Sequence, residues 1–173
     1  MKYNIVLVVL ALFSNVLLQA QKVKIEPSDS LRVFGEVEKP ITFFLDDLIK
    51  CESIQLDDLV IVNHNGEMKD TLTGLFGVPL KSVLKDIEYL SEKPKNLNEL
   101  YFVFTATDGY KVVFSWNEIY NSDVGNNLFF VTAMEELKLH ALDQRIMFVS
   151  TTDLITGRRF VKGLTSIEIR RAD

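Results

Sequence analysis

Few side chains in this sequence could do covalent, redox or metal chemistry. It holds one cysteine and two histidines, His64 and His140. A single Cys makes neither an internal disulfide nor a Cys-rich zinc site, and two His are too few for a His-rich metal centre. His64 stands in Asn63-His64-Asn65 beside a turn signal, where an imidazole could act as ligand or general base. The plainer role is that of a turn-flanking polar residue, and that is the expectation. His140 ends Glu135-Glu136-Leu137-Lys138-Leu139-His140, which reads as surface strand or turn. Cys51 follows Leu48-Ile49 and reads as a small buried hydrophobe, since only Lys50 and Glu52 lie near it to tune a thiolate. Asp46-Asp47 and Asp57-Asp58 are adjacent pairs, which point apart on a helix or strand. They suit a solvated surface better than paired acid–base work. A Gly-x-Ser-x-Gly elbow, a phosphate loop ending in Gly-Lys-Ser/Thr and a His-Glu-x-x-His helix are all absent. What remains is Arg158-Arg159 with Lys162, three cations on a loop leading into a strand. Such a cluster could hold a phosphate or carboxylate, or serve only surface solubility. No catalytic residue and no metal ligand is expected.

The elements that must position these residues are short. Leu31 to Val37 alternates apolar and polar residues, the period of a half-buried strand. Pro40 breaks it, and Phe44, Leu45, Leu48 and Ile49 have the spacing of a short amphipathic helix. Leu59 to Val62 is an apolar run followed by Asn65-Gly66, a hairpin signal, with the return strand through Glu67, Lys69 and Thr71. Gly74 to Pro79 reads as a loop. Pro79 suits a first helical residue, and Leu80, Val83, Leu84 and Ile87 line one face of a helix running to about Leu90. A polar linker, Glu92 to Glu99, contains Pro94. Tyr101 to Thr105 and Tyr110 to Phe114 flank Asp108-Gly109, another hairpin. Ser115 with Glu118 forms a capping-box pattern opening a helix over Trp116 to Tyr120. Leu128–Thr132, Ile146–Ser150, Phe160–Leu164 and Ser166–Arg170 complete a strand-rich end. Without regular strand–helix alternation the expectation is α+β, a mostly antiparallel or mixed sheet with a few short helices.

Composition sets the frame. The 173 residues are 47% apolar and 25% charged, with a net charge of −5, an ordinary globular balance. The acidic excess argues against a nucleic-acid partner, which needs a concentrated basic face. Residues 1–20 read as a secretory signal: Lys2, an apolar run from Ile5 to Leu12 continued by Phe13 and Val16–Leu18, and a small residue at Ala20. The alternative is a membrane anchor, but Ser14-Asn15 interrupts a run already short for a span of roughly 20 residues. No Cys for acylation follows it, and no Arg-Arg pair precedes it. Residues 21–30 would be a leader segment and 31–173 one domain. With Lys2 gone, 18 basic residues face 24 acidic ones, a net charge of −6. The mature chain is expected to be exported, periplasmic or secreted, with no membrane span.

Several of these pieces together resemble a known family. Leu31-x-Val33-x-Gly35-x-Val37-x-x-Pro40 leading into Phe44-Leu45-Asp46-Asp47-Leu48 is similar to the opening of the molybdopterin-binding domain of the sulfite oxidase family. Thr73-Gly74 through Gly77-Val78-Pro79-Leu80 resembles its Gly-Val-Pro-Leu helix start. Thr105-Ala106-Thr107-Asp108-Gly109-Tyr110 resembles its Asp-Gly-Tyr hairpin. Arg159-Phe160-Val161-Lys162-Gly163-Leu164 resembles its closing Arg-Trp-Val-Lys stretch, with Phe160 in place of Trp. The pieces keep the family's order over about residues 31–170, and the likeness is greatest to small, exported, single-domain members.

The resemblance implies a sulfite-oxidase-like fold and a pocket among Asn63, His64, Asp108, Tyr110, Arg159 and Lys162. In catalytic members a cysteine thiolate, a soft donor suited to molybdenum, completes the metal site. The matching position here is about Asn63, and Cys51 lies upstream on the preceding helix. Exported enzymes of the family are usually folded around the cofactor before crossing by the twin-arginine route, which this signal does not resemble. The expectation is therefore a non-catalytic binding module without a cofactor, taking a small anionic ligand or a protein partner. The alternative is a molybdopterin-binding oxidoreductase domain whose metal ligand is not Cys or comes from a partner subunit. A third reading is an interaction domain with no small ligand.

Overall fold

Period-two alternation places Leu31 and Val33 fully inside while Arg32 stays in solvent, and these residues form β1 (Ser30–Gly35). The computed structural model of the protein describes residues 24–172 other than Glu92. The signal expected over residues 1–20 lies outside the described residues, as do residues 21–23 of the leader. β1 stops at Gly35 because its φ of +102° is left-handed, and a Cβ there would lie 2.0 Å from the Ile169 carbonyl oxygen. Only glycine fits that approach.

The remaining strands are β2 (Ile41–Phe44), β3 (Ile54–Gln55), β4 (Leu59–Val62), β5 (Met68–Leu72), β6 (Phe76–Pro79), β7 (Leu100–Ala106), β8 (Lys111–Ser115), β9 (Leu128–Met134), β10 (Leu137–Lys138), β11 (Met147–Ser150), β12 (Val161–Lys162) and β13 (Leu164–Arg171). Three short helices are α1 (Leu45–Lys50), α2 (Leu80–Val83) and α3 (Trp116–Tyr120). One sheet runs β2-β1-β13-β7-β8, a second β12-β11-β9-β6-β3 with β10 on β9, and β4-β5 forms a separate hairpin. Strand pairing is antiparallel except between β1 and β13, so the first sheet is mixed, the others are antiparallel, and the α+β expectation holds.

The core lies where the two large sheets face each other. Phe104 and Phe114 from the first meet Phe148 and Phe130 from the second, with Phe104 and Phe148 ring centroids 4.6 Å apart. All four rings are fully buried. Apolar burial of this kind is the main favourable term in folding.

Local signals succeed where sequence-near groups complete them. Asn65-Gly66 and Asp108-Gly109 make their hairpin turns with Gly66 and Gly109 both at φ +82°. Ser115 Oγ accepts from the Glu118 N–H at 3.1 Å while the Glu118 carboxylate accepts from the Ser115 N–H at 2.8 Å, the reciprocal capping box.

Three expectations need correction. Gly74–Pro79 is not all loop, since β6 sits between β9 and β3 in the second sheet. A Cβ on Gly77 would come within 2.9 Å of the Phe129 side chain, so its glycine serves close strand packing rather than a turn. The helix after Pro79 ends at Val83, not Leu90, although Leu80, Val83, Leu84 and Ile87 are all buried as the pattern requires. Residues 88–90 instead pair with 36–38: the Glu38 N–H donates to Glu88 O at 2.9 Å and the Leu90 N–H to Glu36 O at 3.0 Å. The strand expected over Phe160–Leu164 is cut to Val161–Lys162, because Gly163 turns the chain at φ +65°.

Candidate functional site

Three chain segments converge on a cleft of about 570 Å³. The β4–β5 hairpin supplies Ile61, Lys69 and Asp70, and the β7–β8 turn supplies Ala106, Asp108 and Tyr110. The segment entering β12 supplies Gly157, Phe160 and Lys162, and Ile25 closes one side.

Polar groups hold these segments in register. The buried Thr156 hydroxyl donates to Val60 O at 2.6 Å and accepts from the Val62 N–H at 2.8 Å, stitching the 156–158 turn to β4. A Cβ on Gly157 would lie 2.7 Å from Val62 O, so this contact demands glycine. Asp108 Oδ1 accepts from the Tyr110 N–H at 2.9 Å, shaping its own turn, and the Tyr110 hydroxyl donates to Arg158 O at 2.5 Å. Thr107 holds the N-terminal segment, donating to Glu26 O at 2.8 Å and accepting from the Glu26 N–H at 3.0 Å.

The charges lining the cleft are unequal in freedom. Lys69 Nζ is 2.8 Å from Glu67, and Asp70 and Asp108 accept from neighbouring backbone amides. Lys162 lies 4.9 Å over the Phe160 ring and has no carboxylate partner among the described residues. It is the cation in the cleft left to meet a ligand.

Arg159 turns away from this cleft. Its Nε donates to Asp153 Oδ2 at 2.7 Å, Nη2 to Asp153 Oδ1 at 2.5 Å and Nη1 to Glu118 Oε1 at 3.0 Å. The guanidinium carbon stacks 4.3 Å above the Phe114 ring. These hydrogen bonds, that to Asp153 foremost, raise the Arg159 pKa further above the usual arginine range. Asn63 also stays outside the cleft. Its Oδ1 accepts from the Asn65 and Glu67 amides, both at 3.0 Å, and its Nδ2 donates to Glu67 at 2.9 Å. His64 is exposed at the tip of that turn.

Asp108, Tyr110 and Lys162 are thus brought together, while Asn63, His64 and Arg159 do not line the cleft. Lys69, Asp70, Gly157 and Phe160 join it unanticipated. The Asn65-Gly66 turn carried a signal for the first two, since it folds Lys69 and Asp70 back alongside Ile61. His140 meets Asp46 at 3.1 Å on the surface. Cys51 is partly buried against the core, its thiol 3.4 Å from Asp47 O. Among the described residues no group of three or more His, Cys, Asp or Glu is placed to hold a metal ion, and no helix is long and apolar enough to cross a membrane.

No family model matches the chain, and no curated protein does. Among solved structures the chain is similar to the sulfane dehydrogenase SoxCD from Paracoccus pantotrophus, with a TM-score of 0.60 and 15% identity. The likeness covers 86% of this chain but 40% of that one. At that identity it speaks for the fold alone, and it supports the sulfite-oxidase-like α+β architecture.

Proposed function

We propose that this is an exported, non-catalytic binding module that holds a small anion, a phosphate or carboxylate group, in the cleft beneath Lys162. The observation that carries the reading is Lys162 itself. It is a cation placed over an aromatic ring and left without a carboxylate partner among the described residues, in a chain of net negative charge. An ammonium so placed gains from an incoming anion without first breaking an internal ion pair.

A molybdopterin-type cofactor is the group that the fold brings to mind, and the residues present do not fit it. The lining of the cleft offers no sulfur donor. Asn63, about where the resemblance would place the thiolate, spends its side chain on its own turn. Cys51 is not among the lining residues and packs against the core at the end of α1. The second reading, a cofactor-loaded oxidoreductase domain, rests on the fold likeness and needs a ligand from elsewhere.

Titration of the purified chain with inorganic phosphate and with citrate, followed by calorimetry, tests the proposal. Lys162→Ala should weaken binding about tenfold, the scale of one charge-assisted contact, while Arg158→Ala should change it less. Equal affinity in Lys162→Ala and the parent would remove the cleft as the site. Elemental analysis and an absorption spectrum of protein from its native compartment discriminate the two readings. Stoichiometric molybdenum with pterin absorbance would overturn the non-catalytic one.

A further inference from the structure

The first sheet ends in β8, whose outer side has no neighbouring strand among the described residues. The register tells which backbone groups face outward. The Ala106 N–H donates to Tyr110 O at 2.9 Å, and Thr105, Phe104 and Val103 stand opposite Lys111, Val112 and Val113. Bonded and non-bonded pairs alternate along an antiparallel ladder. Phe104–Val112 therefore repeats the bonded pair, and the N–H and C=O groups of Lys111 and Val113 point away from β7. Among the described residues no other backbone bond uses them. Two donors and two acceptors are left in the spacing that an added strand requires.

Lys111 and Val113 also line a groove of about 730 Å³ shared by β8 and the 153–159 loop. Its apolar part is unusually open to solvent: Leu154 is 93% exposed and Val113 51%. Its charged part is basic, since Lys111 and Arg158 have no carboxylate partner among the described residues. The one acidic side chain lining it, Asp153, is taken up by Arg159. The loop is also pinned by the Tyr110 hydroxyl on Arg158 O, so the groove has a firm far wall.

We propose that β8 accepts an extended acidic segment of a partner protein as an additional strand. Its backbone pairs with Lys111 and Val113, its carboxylates meet Lys111 and Arg158, and an apolar side chain packs between Val113 and Leu154. This surface goes beyond the anion cleft and does not depend on it. Lys162 is no part of it.

The test uses the full mature chain, labelled with nitrogen-15, and two capped hexapeptides, one alternating Asp with Val and one alternating Lys with Val. The Asp–Val peptide should shift the amide signals of Lys111 and Val113 and slow their hydrogen exchange, and the Lys–Val peptide should leave both unchanged. Val113→Pro removes an outward N–H at an edge position, where proline is tolerated, and should weaken binding about tenfold. Arg158→Glu, a change on an exposed side chain, should weaken it at least about threefold and keeps the test decisive if Val113→Pro misfolds. Equal binding of both peptides, or undiminished binding to Val113→Pro in a folded protein, would overturn the proposal. So would absence of Asp–Val binding at millimolar concentration. A concentration-dependent dimer abolished by Val113→Pro would do the same, by assigning the edge to a second copy of this chain.

Discussion

Arg159 and Lys162 carry like charges three positions apart and have opposite fates. Arg159 is spent on Asp153, Glu118 and the face of Phe114, whereas Lys162 is left open to the cleft. Arg159→Gln should therefore act on stability, leaving Asp153 partly buried without its cation. Its half-buried setting limits the loss to about 2 kcal/mol, or roughly 5 °C in Tm for a domain of this size. Lys162→Ala should leave Tm within about 1 °C and act on anion affinity alone. Melting curves of the two variants beside phosphate titrations check this crossing. A large stability loss in Lys162→Ala would place it among the structural cations instead.

Thr156 shows how an element is fastened for function. Its hydroxyl is the only link of its kind among the described hydrogen bonds between the 156–158 turn and β4, and the turn feeds Phe160 and Lys162 into the cleft. Thr156→Val keeps the shape but strands the partly buried Val62 amide, a loss of about 1–2 kcal/mol. Hydrogen exchange at Val62 should accelerate and anion binding should weaken even though no ligand contact has been removed. Unchanged exchange would show that the turn is held by other contacts. Gly35→Ala is expected to be severer, since a Cβ would meet the Ile169 carbonyl oxygen where the first and last strands run side by side. Loss of more than about 3 kcal/mol, seen as poor recovery of folded protein, is the expected outcome.

At the scale of the whole molecule, pH dependence should appear on the alkaline side. The Tyr89 and Tyr120 hydroxyls share a 2.5 Å hydrogen bond beside Phe102 and Trp116. Burial, followed by the Tyr120 neighbour, pushes Tyr89 well above the ordinary tyrosine range. Burial also raises Tyr120, against the lowering effect of that hydrogen bond. In the unfolded chain both ionise near about 10. The folded chain holds its protons longer, so stability is full below that pH and falls as the pH rises past it. Among the tyrosines, Tyr89 and Tyr120 should resist ionisation in an ultraviolet titration until the protein unfolds. A single transition near pH 10 for all of them, with native structure kept, would contradict this.

What the sequence determined by itself is whatever adjacent residues can settle. Asn-Gly and Asp-Gly made the hairpins legible and Ser115 with Glu118 announced α3, because there the stabilising partners lie within about four positions. β1 was legible from its period-two burial, although the strands that pair with it lie farther along the chain. The α+β class followed from these local signals, whereas the sulfite-oxidase-like fold was implied by the resemblance of several short motifs and is supported by the solved structure the chain is similar to. Tertiary structure decided the rest, since it depends on partners far along the chain. β6 became a strand because β3 and β9 satisfy its backbone on both sides, and α2 stopped early because residues 36–38 claimed the backbone that followed it. Asp108, Tyr110 and Lys162 share a cleft, whereas Asn63, His64 and Arg159 stand outside it. Nothing in residue type separates Arg159 from Lys162; packing does, because it sets Asp153 and Glu118 against Arg159 and, among the described residues, no carboxylate against Lys162.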